Sequence, residues 1–456
     1  MPALPAYSRR CDRFLNRAAT CLFGAIFGLA LVSADLRGAD VSYYMVGKGV
    51  STVQTNDNTR IPKGGAPFLF AAQAVLTNSF TVFSASIGLP TGGFRGLFQT
   101  ASPLMLTFQD RAVSQTALDG LYGNGTYTFT FQTQHDGMKN LPLTLSGNAY
   151  PNVPRISNLA AAQAVDASTA FALAWDPLTG GMASDLIQVR IESTGGLVFG
   201  TSARPGATNA LDGTATGITI PANTLTAGRC YLGHLFFEKI TANNLSYAGA
   251  PGYAGYWRQT DFYLITSGPG DTTPPTIVSI IPTNGTTGVP LNVPLTVTFS
   301  EPMGAGFSMA VGGTTNSFKG TWSADRRTLT VSSTNKWPAT TTLNWFFNPS
   351  NGNPTMGDSA NNPLMSDLTT SFTTGTQVLS TVPVTPTLAN PAPPTNGVFR
   401  LALSGERFRN YVWQTSSDLV NWMNVATNLS SSIQVEFLDQ APPQTGQKFY
   451  RALALP

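Results

Sequence analysis

After residue 40, no stretch of this 456-residue chain carries an apolar stripe at the 3.6-residue spacing of a helix; apolar positions recur at every second residue instead. Thr126-Tyr127-Thr128-Phe129-Thr130-Phe131 puts hydroxyls on one face and rings on the other, and Leu295-Thr296-Val297-Thr298-Phe299 repeats the pattern. Such alternation suits a strand with one buried face, because successive side chains point to opposite sides of a sheet. Turn-formers separate the runs: Gly123-Asn124-Gly125 is built from residues that tolerate positive φ. Only 11% of residues are charged, but 42% are apolar, enough to fill several cores rather than leave a disordered chain. The expected fold class is all-β: tandem β-sandwich modules joined by Pro/Thr-rich linkers.

Four arginines, Arg9, Arg10, Arg13 and Arg17, precede an apolar run over 21–34 that ends Val32-Ser33-Ala34. This is the layout of an export signal, with cleavage expected after Ala34; Ala39 is second, since Arg37 fits its −3 position badly. An uncleaved signal anchor is the competing reading, but the run is short for a membrane span. Residues 1–34 carry those four arginines and Asp12, so their loss takes the formal charge from +3 to zero. A neutral mature chain without basic runs has no electrostatic reason to bind nucleic acid. No transmembrane span is expected in it. Of three cysteines only Cys230 remains, which precludes an intramolecular disulfide. The expected location is secreted, extracellular or at the cell surface.

Residues 40–150 read as one β-sandwich of unassigned family. The next module, 151–268, contains Trp175 ahead of Asp176-Pro177, and Leu225-Thr226-Ala227-Gly228-Arg229-Cys230-Tyr231 before a strand. These resemble the early tryptophan and tyrosine corner of fibronectin type III domains, which implies that the Tyr231 hydroxyl bonds back to upstream backbone. Beyond Tyr231, parity puts Gly233, Leu235 and Phe237 on its face and Cys230, Leu232, His234 and Phe236 on the other. That second face is too apolar for water, so a neighbouring module should cover it.

A short stiff linker, 269–275, leads into residues 271–375. There Asp271-Thr272-Thr273-Pro274-Pro275, Thr296–Met303, Trp322–Val331, Asp358–Leu364 and Ser371–Thr374 together resemble the bacterial Ig-like module named after the SbsA surface-layer protein. Asn361 stands where that family has glycine, and asparagine also tolerates the left-handed turn. A charge-free linker, 376–394, should be extended. Residues 395–456 resemble the small β module that closes many large secreted proteins of environmental bacteria, through Tyr411, Gln414, Ser416, Asp418-Leu419 and Trp422.

Chemistry is sparse. Glu301 ends its strand before Pro302 and has no second carboxylate at a fixed nearby spacing, so it reads as a strand-closing acceptor of loop amides rather than a catalytic acid. His135 sits in a turn and His234 mid-strand, and two histidines cannot complete a zinc set alone. No catalytic residue, metal ligand or cofactor is expected, calcium at Asn56-Asp57-Asn58 or Asp358–Asn362 being the alternative. The most suggestive binding stretch is 245–257, whose Tyr247, Tyr253, Tyr256 and Trp257 could grip a sugar or a protein, or pack on a neighbouring domain. Three functions follow: a non-enzymatic structural, adhesive or scaffolding protein; a carbohydrate-binding accessory protein using this stretch; or an enzyme, such as a polysaccharide-active one, with its site in 40–150. A polysaccharide or a cell-surface protein is the partner expected.

Overall fold

Fourteen residues of extended chain, Val41–Gln54, pair along both edges. On one side they run antiparallel to Phe68–Leu76; on the other they run parallel to Gly252–Ile265, in register from Tyr44 opposite Gly252 to Val53 opposite Asp261. This computed structural model describes residues 38–100, 102–349, 356–389, 398–439 and 447–455. The expected export signal, and parts of the second linker and last module, lie outside the described residues.

The parallel ladder makes one sheet of the two segments expected as separate sandwiches. Its order is Gly196–Gly200, Leu186–Ser193, Cys230–Asn244, Gly252–Ile265, Val41–Gln54, Phe68–Leu76, Met105–Ala112 and Phe98–Gln99, with short strands Arg60–Pro62 and Leu211–Asp212 at its side. One part is faced by a four-stranded sheet of Phe94–Gly96, Val82–Gly88, Gly125–Thr133 and Met138–Leu145; the other by the pair Phe171–Ala174 and Gly217–Ile220. Tyr44, Phe70, Tyr127, Phe129 and Leu143 fill the first core, and Trp175, Val189, Tyr231, Phe237 and Phe262 the second.

The long hairpin 230–265 serves both cores. From one face of its second strand, Ala254 and Tyr256 enter the first core while Phe262 and Leu264 enter the second. On its first strand Tyr231, Leu235 and Phe237 are odd-numbered, whereas Ala242 packs on the first core with even parity. A bulge between Ile240 and Ala242 absorbs the extra residue and keeps the same face inward. The Tyr231 hydroxyl accepts the Thr226 amide at 2.8 Å, the bond expected of a tyrosine corner, and Tyr411 repeats it with the Glu406 amide at 2.6 Å.

Residues 271–374 form two packed four-stranded sheets. Leu295, Val297 and Phe299 are buried and Thr296 and Thr298 half-buried, as their alternation requires. Asn361 adopts φ 69°, the left-handed turn expected of it. The last module pairs two three-stranded sheets. In it Asp418 accepts the amides of Val420 (2.9 Å) and Asn421 (2.8 Å), so the residues that carried its resemblance build a turn. The helices among the described residues have seven and four residues, and none is long and apolar enough to cross a membrane.

The face of Cys230, Leu232 and His234 is buried, and the Ig-like module reaches it: Arg229 donates to the Ala360 carbonyl (2.7 Å) and the Tyr263 hydroxyl to that of Pro363 (3.2 Å). The hairpin's place in the first core is testable. Tyr256→Ala should cost about 3–5 kcal/mol in urea unfolding, as for other buried aromatics. Tyr253→Ala, half-exposed, should cost less than about 1 kcal/mol.

Candidate functional site

Strand parity divides the four aromatics expected to grip a ligand. Tyr256 is fully buried, and its hydroxyl donates to Asn124 Oδ1 at 2.7 Å. Tyr247 is 5% exposed in the first core, with Lys139 Nζ 5.1 Å from its ring centre and its hydroxyl bonded to Asp136. These two rings are therefore corrected from ligand contacts to packing: the hairpin closes the first sandwich, and a ring already packed cannot stack on a sugar. The turn itself spans only 245–251; Tyr253 and Trp257 lie in the following strand, half-buried on its opposite face.

That opposite face continues across the shared sheet. In register beside Trp257 stand Glu238 on one strand and Gly49 on the other, and beyond Glu238 stands Leu186. These strands surround a cavity of about 440 Å³ lined by Trp257, Glu238, Phe236, Tyr43, Gln188 and Gln73. Glu238 is 8% exposed, and no hydrogen bond reaches its carboxylate within the described residues. Burial, and then the charge of Asp185, push it up to about 7.

One end of this face carries a buried ionic network from three parts of the chain. Lys63, fully buried, bonds Asp261 and donates to Ser366 Oγ at 3.1 Å. His234 Nδ1 is 2.7 Å from Asp261, its Nε2 is 3.7 Å from Glu192, and Glu192 is bonded by Arg190. Arg111 reaches Asp367 at 3.0 Å. Burial alone would lower His234, but the charge and hydrogen bond of Asp261, with Glu192, outweigh it and hold the imidazole above its ordinary 6.5. Burial would likewise raise Asp261, but the charges of Lys63 and then His234 hold it below the usual carboxylate range. A His–Asp pair has the parts of an acid–base dyad. This one is 2% and 0% exposed at its side chains, out of reach of a substrate. The pair joins two strands of one hairpin, and it is Lys63, bonded to Asp261 and to Ser366, that links the modules.

Four of the five acids of 40–150, all but Asp57, are likewise taken up by structural bonds. Asp119 is 2.6 Å from the buried Lys48 ammonium, and Asp110 accepts from the Tyr122 hydroxyl at 2.7 Å. Asp40 bonds the His135 ring at 2.7 Å and gives its amide to Asp136 at 2.8 Å.

Glu301 departs from its expected setting. Asp271 from the linker and Asp358 from the far turn come to it in space, with carboxylate oxygens all within 4.8 Å of one another. Sequence separation hid this group. Asp358, not Glu301, takes the loop amide, from Asn362 at 2.8 Å. Burial, then the charge of Asp358 and a hydrogen bond with it, push Glu301 up to about 7. Three hard oxygens at this distance can share a proton or a divalent cation such as calcium.

Residues 271–374 match the family profile described as a bacterial Ig-like domain. No curated protein matches the sequence. Among solved structures, the chain is similar to a tetra-tandem repeat from the extending region of a large adhesion protein (9% identity, 90% of this chain and 99% of that one, TM-score 0.14). It is similar also to an ICAM-5 ectodomain fragment (11%, 90% and 99%, 0.17) and to domains 1–6 of the surface layer protein SbsC (9%, 87% and 63%, 0.16). TM-scores this low leave the functional argument to the geometry of this chain.

Two outcomes test the electrostatics. Asp261→Ala should lose about 3–5 kcal/mol in chemical denaturation, because Lys63 and His234 are left buried without their partner. Glu301 has a raised folded value, so its stabilising contribution is complete below its ordinary 4.5 and is lost as pH rises through about 7. Glu301→Gln should therefore raise the melting temperature at pH 8 and leave it unchanged at pH 4.5.

Proposed function

We propose that this is a non-enzymatic modular protein, exported from a bacterial cell, with a structural, adhesive or scaffolding role toward a polysaccharide or cell-surface protein. One observation carries the reading: the modules are locked to one another through a shared sheet and the buried Lys63 clamp. Inter-domain contacts within a chain ordinarily leave modules free to move. Here the contact is a main-chain ladder plus buried ion pairs, which suits a part that must hold its geometry under load.

Four of the groups that could do acid–base work are taken up in structural contacts. His234, Asp261, Asp40 and Asp119 are each engaged with a structural partner. The bacterial Ig-like match over 271–374 and the basic-then-apolar amino terminus support export.

The test is the location and start of the mature chain. Expressed whole in a bacterial host, the protein should be recovered outside the cytoplasm with Asp35 as its first residue by amino-terminal sequencing. A cytoplasmic product beginning at Met1 would overturn the export reading.

A further inference from the structure

We propose that the cavity on the open face of the shared sheet binds a pyranose ring of a neutral oligosaccharide, with Trp257 as the stacking platform and Glu238 as the acceptor of sugar hydroxyls. The site is not the hairpin turn but the sheet beneath it.

The indole lies down on the sheet rather than standing on edge. A Cβ placed on Gly49 would come 1.9 Å from Trp257 Cε2 and 2.0 Å from Nε1, and one on Gly47 would come 2.9 Å from Cζ3. Both ends of the ring system thus rest against the same neighbouring strand, and they can do so because that strand has no side chain at either position. One face of the indole is covered by backbone. Trp257 also lines the cavity, where a flat apolar ring can meet the axial C–H groups of a sugar.

Glu238 is the register partner of Trp257 on the adjacent strand, and its carboxylate leans over Gly255, two residues before Trp257, where an added Cβ would come 3.3 Å from Oε1. It is more than nine-tenths buried, borders the cavity, and takes no hydrogen bond within the described residues. Its oxygens are not among the fully enclosed polar atoms and so open on to the cavity, where vicinal hydroxyls can donate to them in place of water. Trp257 Nε1 also lacks a hydrogen-bond partner within the described residues. Gln73 and Gln188 add amides, which both donate and accept. The two arginines that reach the cavity, Arg190 and Arg111, already have Glu192 and Asp367 as partners, so among the described residues the lining presents no free cation for an anionic sugar. The volume, about 440 Å³, lies in the range of small-ligand sites.

The inference goes beyond the scaffold reading and does not depend on export. Cellohexaose, xylohexaose, chitohexaose and mannohexaose are titrated separately into the full mature chain by isothermal calorimetry, up to about 1 mM, the weak end of specific binding. At least one should bind. Trp257→Ala should weaken that binding tenfold or more, and Glu238→Gln several-fold. Should Trp257→Ala not fold, Glu238→Gln, which keeps shape and volume, decides. No binding by any of the four, or equal binding by the wild type and a folded Glu238→Gln protein, overturns the proposal while leaving the scaffold reading untouched. Sugar binding by a chain that proves cytoplasmic would do the reverse.

Discussion

The ladder between Val41–Gln54 and Gly252–Ile265 is the constraint on which the rest depends. A parallel pairing cannot be made by a tight turn, so the chain between the two strands must travel away and come back. That excursion contains most of two sandwiches. Once the ladder forms, the second strand of the long hairpin contributes one face to both cores, and neither core is complete without it. Register matters more than usual here. A one-residue slip would turn Tyr256 and Phe262 outward together and emptied positions would open in both cores at once.

The Lys63 cluster follows from the same geometry. Val53, near the end of the parallel ladder, pairs with Asp261, and the short strand Arg60–Pro62 folds back beside it, which carries Lys63 over the Asp261 carboxylate. The Ig-like module then adds Ser366 and Asp367. A buried ion pair contributes little net stability compared with an apolar substitute, but it is strongly directional, since a misplaced module would leave charges buried without partners. The network thus selects one docking of the Ig-like module among many that a merely apolar contact would allow.

How much was legible in the sequence depended on how local the determinant is. The strands at 68–76, 125–133 and 295–299 follow from alternation alone, and the Asn361 turn and the Tyr231 bond follow from short motifs. Parity also showed that the face of Cys230, Leu232 and His234 needed a cover. What covers it was beyond reach, as was the sharing of one hairpin by two cores, because pairing between distant strands leaves no short-range trace. Tyr247 and Tyr256 looked like binding residues because composition marks aromatic-rich turns without saying which side of the strand each ring takes. The Asp271, Glu301 and Asp358 group was hidden for the same reason: its members are far apart in the chain and adjacent only after the module closes.

The glycines of Val41–Gln54 connect this architecture to recognition. Glycine inside a strand is unfavourable by roughly 0.5–1 kcal/mol relative to alanine and ordinarily marks a bulge or a close approach. Lys48 lies between Gly47 and Gly49, points the other way, and is fully buried against Asp119. The strand therefore spends one face on a core charge and leaves the other bare along the length of an indole. Filling those bare positions with alanine would improve the strand and lift Trp257 off the sheet. Packing alone does not require a tryptophan laid flat on a strand bared of side chains, with a carboxylate lining the same cavity. A site on paired strands is also held more precisely than one on a loop, because the ladder fixes both Trp257 and Glu238 in the same register. The ladder that joins the sandwiches is thus also what sets the spacing of the platform and its acceptor.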